Sequence, residues 1–249
     1  MTTFPEFASM RSLLALAMLG PALATAEPRP QVLVELFTSE GCSSCPPADA
    51  ALAALARKGG LEGAEVVALE LHVDYWNDLG WVDPFSAPEF TARQEDYARA
   101  LRGDGLYTPQ MVVDGWVSGV ATQSALRRGV EKAAGRAKAR LEVLVTSARP
   151  GLDVVVRPSP GLAGRLVVAL SEDRLSSKVE RGENRGLTLA HAPVARLLVD
   201  DGPVSAEHHV RLGLAPGWKR DQLRVVAFVQ EQGGRIVALG TAPVPPGRS

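Results

Sequence analysis

Two cysteines separated by two residues, Cys42 and Cys45, are the only cysteines in the 249-residue chain, and they constrain it most. Before them, Val32-Leu33-Val34-Glu35-Leu36-Phe37 is a near-continuous apolar run of β-favouring character, followed by a short polar turn. After them, Ala48 to Lys58 is rich in alanine and leucine and reads as a helix. The order is therefore strand, turn, dithiol, helix. Unpaired amides and the positive end of a helix dipole favour a thiolate over a thiol, so Cys42 is the expected attacking sulfur. Cys45, about one turn further on, is expected to be less exposed and to resolve a mixed disulfide formed at Cys42. Pro46-Pro47 complicates this, because two prolines remove amide donors and disfavour a helical Cys45. A distorted first turn is the expectation.

The rest of the first half alternates strands and helices. Glu65 to Val73 is strand-like, which makes strand–helix–strand and hence a parallel pair. An aromatic loop, Asp74 to Phe85, precedes helical spacing over Ala87 to Arg102, marked by Phe90, Tyr97, Ala98 and Leu101. Gly105 to Pro109 then breaks the pattern, and Met111 to Val117 reads as a hairpin turning at Asp114-Gly115. A last helix, Gln123 to Ala139, carries Leu126, Val130 and Ala133 on one face.

These residues resemble a known family. The order strand, Cys-x-x-Cys, helix, strand, Thr-Pro, hairpin, helix is similar to the thioredoxin fold. The runs Glu-Leu-Phe-Thr-Ser-x-Gly-Cys-Ser-Ser-Cys-Pro-Pro-Ala-Asp, His-Val-Asp-Tyr-Trp and Tyr-Thr-Pro-Gln-Met-Val-Val-Asp-Gly resemble the bacterial secreted proteins grouped as DUF1223, whose biochemical function is unassigned. The resemblance implies that Cys42 attacks and Cys45 resolves. It implies that Pro109, preceded by Thr108, is a cis-proline leaving an open backbone edge beside the sulfur for a substrate. It also places Glu35 where thioredoxin has a buried acid that relays a proton to the resolving thiol, the other reading being a strand-edge residue facing water. Gly41 stands where thioredoxin has a tryptophan. The chain between Cys45 and Pro109 is longer than in a minimal thioredoxin, which implies a helical insertion bordering the site. Trp76 and Trp81, with Phe85, are a candidate platform for an unfolded polypeptide or the small core beneath a long loop.

Composition and spacing narrow the chemistry. Formal net charge is −1, which points to no nucleic acid or anionic surface as partner. Residues 1–26 read as an export signal: Leu13 to Leu19 is too short an apolar run to span a bilayer, and Ala24-Thr25-Ala26 is a small-x-small cleavage site. Met10 is an alternative start, and a retained anchor the competing reading. The four histidines, His72, His191, His208 and His209, fall at no metal spacing, so no metal and no cofactor is expected. His72, inside a strand pattern, reads as a satisfied core histidine, and the neighbours His208 and His209 point to opposite faces. Copper(I) held by the two thiolates is the metal reading that survives. There is no serine-triad motif and no phosphate loop.

From about Arg140 short β-rich runs alternate with Gly, Pro and charge clusters, a spacing that suggests an antiparallel sandwich of about seven strands. The polar stretch 179–186 reads as a surface loop able to reach the dithiol. The expected organisation is a signal at 1–26, a thioredoxin-like α/β domain at 27–139 and a smaller β-sandwich-like domain at 140–249. The expected function is an exported thiol–disulfide oxidoreductase acting on protein or small thiol and disulfide substrates with a redox partner. The alternative is a periplasmic binding protein that holds copper(I) or docks a partner without turnover.

Overall fold

The structure is a computed structural model and describes residues 1–2, 29–103 and 105–247. The export signal expected at 1–26 therefore falls almost wholly outside the described residues. Among the described residues no helix is long and apolar enough to cross a membrane.

The first half contains β1 (Gln31–Thr38), α1 (Pro46–Arg57), β2 (Glu65–His72), α2 (Pro88–Ala100), β3 (Gln110–Val113), β4 (Val117–Val120) and α3 (Gln123–Ala134). β1 and β2 pair in parallel, and β3 returns antiparallel to β1 before pairing with β4. The β3–β4 turn uses Asp114 (φ 46°) and Gly115 (φ 72°), the left-handed pair that Asp-Gly supplies cheaply. α3 is capped by Thr122, whose hydroxyl accepts from the Ala125 amide, and it stops at Gly135, several residues short of the expected Ala139.

The second half adds β5 (Ala139–Arg140), β6 (Glu142–Ala148), β7 (Gly151–Arg157), β8 (Arg165–Glu172), β9 (Ser176–Lys178), β10 (Thr188–Ala190), β11 (Val194–Pro203), β12 (His208–Gly213), β13 (Leu223–Gln230) and β14 (Ile236–Pro243). The strands divide between two sheets, β12-β7-β6 and a nine-stranded mixed sheet of order β4-β3-β1-β2-β11-β8-β13-β14-β5, with β9 and β10 forming a separate hairpin. The nine-stranded sheet crosses the domain boundary expected at 139/140: β11 joins β2 through Val194 opposite Glu70, and the Glu70 amide donates to the Pro193 carbonyl at 2.8 Å.

Side-chain alternation along these strands builds three cores. Val32, Val34 and Leu36 face α1 and α3 with Val66, Ala68, Leu52 and Leu126. Leu33 and Phe37 face the other way, where Phe90 and Tyr97 of α2 meet Val67, Leu69 and, from the second half, Val167 and Phe228. Leu166, Val168 and Leu170 point opposite to Val167 and pack on the three-stranded sheet through Leu152, Val154 and Leu212. α2 thus lies on a face to which both halves contribute, so the apolar surface tying them together is a shared core.

Candidate functional site

Cys42 and Cys45 form a disulfide in the turn between β1 and α1. Cys45 is the residue before the helix proper and has helical dihedrals (φ −78°, ψ −40°), so the distorted turn expected from Pro46-Pro47 is not found. The reason is position. Prolines in the first two places of a helix lack only amides that have no partner there anyway. Their cost falls on electrostatics: the Ala48 and Asp49 amides are taken by the Cys45 carbonyl at 2.8 and 3.1 Å, and the Cys45 amide by the Cys42 carbonyl at 3.2 Å. No free N–H of α1 remains to face the Cys42 sulfur, whose polar neighbour is the Ser44 hydroxyl at 3.3 Å.

Both cysteines are fully buried, so the expected difference, with Cys45 the less exposed of the two, is not found. The cover is the loop 179–187 between β9 and β10. Asn184 donates its side-chain amide to the carbonyls of Glu40 (2.8 Å) and Cys42 (2.9 Å), and the Ser43 amide donates to Glu183 at 3.0 Å. Gly182 (φ 72°) permits the close approach, since a Cβ there would stand 3.1 Å from the Trp81 Cβ.

Pro109 is cis and buried, and directly precedes Gln110, which pairs with Phe37 at the last step of the β1–β3 ladder. It therefore sits at the same end of the sheet as the dithiol turn, with half-buried Thr108 beside it. Trp76 of the aromatic loop lies close against Gly41, where a Cβ would meet the Trp76 Cβ at 3.3 Å. Trp81 is no open platform: its indole N–H donates to Glu40 at 2.8 Å beneath the covering loop.

Glu35 is buried, so it is not a water-facing edge residue, and it is not placed as a relay to Cys45. It shares the α2 face with Leu33 and Phe37, opposite to α1. There Arg93 donates to both its oxygens (2.5 and 3.0 Å) and Tyr97 donates to it at 2.5 Å. Asp49, one helical turn after Cys45, is a carboxyl group on the α1 side of the sheet. It accepts from the Thr38 hydroxyl at 2.7 Å, and burial, reinforced by the charge of Glu70, raises its pKa to about 8.

Beneath the turn is a polar cluster that sequence reasoning missed. Glu40 is its hub: one carboxylate oxygen accepts from Trp81, while the other meets His191 Nε2 at 3.1 Å and the Ser177 hydroxyl. Asp83 accepts from the Glu40 amide at 2.8 Å and meets His72 Nδ1 at 2.7 Å. Glu70 accepts from the Ala192 amide at 2.9 Å. Phe85 packs against both imidazoles, with ring centroids 5.4 Å from His72 and 5.2 Å from His191. Burial opposes charging His72, but the charge and hydrogen bond of Asp83, with Glu70, prevail and raise its pKa to about 10. Burial opposes charging His191 too, and Glu40 and Glu70 raise it to about 9. The one local signal was Glu70-x-His72, which puts both side chains on one strand face.

The family model described as a protein of unknown function, DUF1223, matches residues 33–230. No curated protein matches the chain. Among solved structures, a crystal structure of a protein from Agrobacterium tumefaciens is 28% identical, with a TM-score of 0.64, covering 90% of this chain and 98% of that one. HBP35 of Porphyromonas gingivalis is 14% identical with a TM-score of 0.63, over 89% of this chain and 78% of that one, a likeness of fold alone. With the match running from the strand before the dithiol to the end of β13, the chain belongs to the DUF1223 family of proteins of unknown function.

Proposed function

We propose that the protein is an exported thiol–disulfide oxidoreductase whose first half is thioredoxin-like and whose reacting group is the Cys42–Cys45 pair. The observation that carries this reading is the disulfide itself, seated at the start of α1 at the sheet end that also carries Pro109. Export is the sequence-based part of the reading and rests on residues 1–26.

In the oxidised protein a substrate thiolate attacks Cys42 Sγ, the intramolecular S–S bond breaks, and Cys45 leaves as a thiolate that takes up a proton. A second substrate thiolate then attacks the mixed disulfide, releasing an oxidised substrate and leaving Cys42 reduced. Two substrate thiols lose two electrons to the pair, and the reverse sequence reduces a substrate disulfide. Asp49, protonated at neutral pH and one turn from Cys45, is the proposed proton donor in place of Glu35. The sulfurs react only when the loop 179–187 lifts, because Asn184 and Glu183 hold it over the turn.

The test is a redox titration of the pair against glutathione buffers with thiol trapping. A reversible two-electron transition between about −120 and −270 mV supports exchange chemistry and separates oxidant from reductant. A pair that reduces only on unfolding sinks the reading and leaves a binding or docking protein with a structural disulfide.

A further inference from the structure

We infer that Glu70, His72 and His191 form a binding site for a divalent first-row transition metal of the zinc class, beside the dithiol turn and independent of its sulfurs. One candidate ligand atom from each residue lies within 4.8 Å of the others. Glu70 Oε2 stands 3.7 Å from His72 Nε2 and 3.4 Å from His191 Nδ1, close to the roughly 3.3 Å edge of a tetrahedron with zinc-like bond lengths.

The independent observation is that these same three atoms make no well-formed hydrogen bond and meet only one another, as ion pairs at 3.4 and 3.7 Å, although all three residues are at least nine-tenths buried. A buried polar atom without a well-formed hydrogen bond costs about 1–3 kcal/mol, and a ligand shared by the three would supply what their long mutual contacts do not. Every other polar atom of the triad is engaged. His72 Nδ1 is held by Asp83, His191 Nε2 by Glu40, and Glu70 Oε1 by the Ala192 amide. Carboxylates on the far nitrogens of both imidazoles fix the rings with Nε2 of one and Nδ1 of the other turned inward, as partners of metal-bound histidines do.

Charge and access agree. Three carboxylates, Glu40, Glu70 and Asp83, surround two imidazoles that they hold protonated, and a bound metal cation would take the place of the proton on each inward nitrogen. Two imidazole nitrogens and one carboxylate oxygen favour zinc, cobalt, iron or copper over magnesium or calcium, and they leave a position for water or a substrate oxygen. A cleft of about 780 Å³ between α1 and the segment around β9–β11 has His191 and Ala192 in its wall and offers a way in.

The test uses the full chain, kept oxidised so that no thiolate competes, stripped with chelator and titrated with Zn²⁺ by calorimetry. Co²⁺ serves as the spectroscopic probe. The expected result is one equivalent bound, a raised thermal midpoint, and Co²⁺ ligand-field bands without thiolate charge transfer. His191→Ala and Glu70→Gln abolish stoichiometric binding, Asp83→Asn weakens it by about 10–100-fold, and Cys42→Ser/Cys45→Ser retains it. Absence of saturable binding to the stripped wild-type chain, or binding that survives His191→Ala, overturns the site. Neither result bears on the redox titration, so the two proposals fail separately.

Discussion

Asn184 donates its side-chain amide to the Cys42 carbonyl at 2.9 Å across 142 residues of sequence, so a loop from the second half of the chain closes over the disulfide of the first. The same amide reaches the Glu40 carbonyl, and all three residues are buried. Asn184→Ala leaves two buried carbonyls without that donor and weakens the closed loop by about 1–3 kcal/mol. The rate of reduction by dithiothreitol under native conditions is expected to rise roughly five- to a hundred-fold, since reduction then follows local opening. Glu183→Ala, which loses only an exposed contact to Ser43, should change the rate far less. Equal rates in wild type and Asn184→Ala would mean that the loop does not control access.

The Glu35–Arg93 pair is structural. Arg93→Leu strands a carboxylate between β1 and α2 and is expected to cost about 3–5 kcal/mol, read as a lower urea midpoint. Glu35→Gln should leave the reduction potential of Cys42–Cys45 where it was, because the residue faces away from α1. A shifted potential in that variant would restore Glu35 as a relay.

Asp49 gives the stability a pH dependence of definite sign. Its folded pKa, about 8, lies above the ordinary value of 3.8, with burial the leading cause. The folded state therefore holds a proton that the unfolded state has released. The stability this group contributes is full below about pH 4 and falls as pH rises towards 8. Asp49→Asn keeps an acceptor for Thr38 and cannot ionise, so it should remove that slope and stabilise the chelator-treated protein at pH 8 by a few kcal/mol. Denaturant titrations from pH 5 to about pH 9 check this, and parallel curves for the two proteins would dismiss it.

What the sequence revealed was whatever is decided locally. Short β-rich runs bounded by Gly, Pro and charge clusters located most strands of the second half, and Asp114-Gly115 announced its hairpin, because strand composition and turn chemistry act within a few residues. Pro46 misled, since the restriction on a residue before proline is a tendency that the helix start at Cys45 overrides. The face that Glu35 occupies depends on where α2 packs, which no local pattern encodes. The cluster around Glu40 was invisible for the same reason: Glu40 and His191 are 151 residues apart, and His191 stands in a segment whose own composition marks nothing.

The position of the covering loop late in the chain also sets an order of events during synthesis. A polypeptide made from its N-terminus presents Cys42 142 residues before Asn184 exists, and β11, which docks against β2, comes later still. For that interval the two thiols are open to whatever oxidant they meet. Once the last strands arrive, the loop that bears Asn184 can close over the dithiol, so the pair is at its most accessible in a chain that is still incomplete.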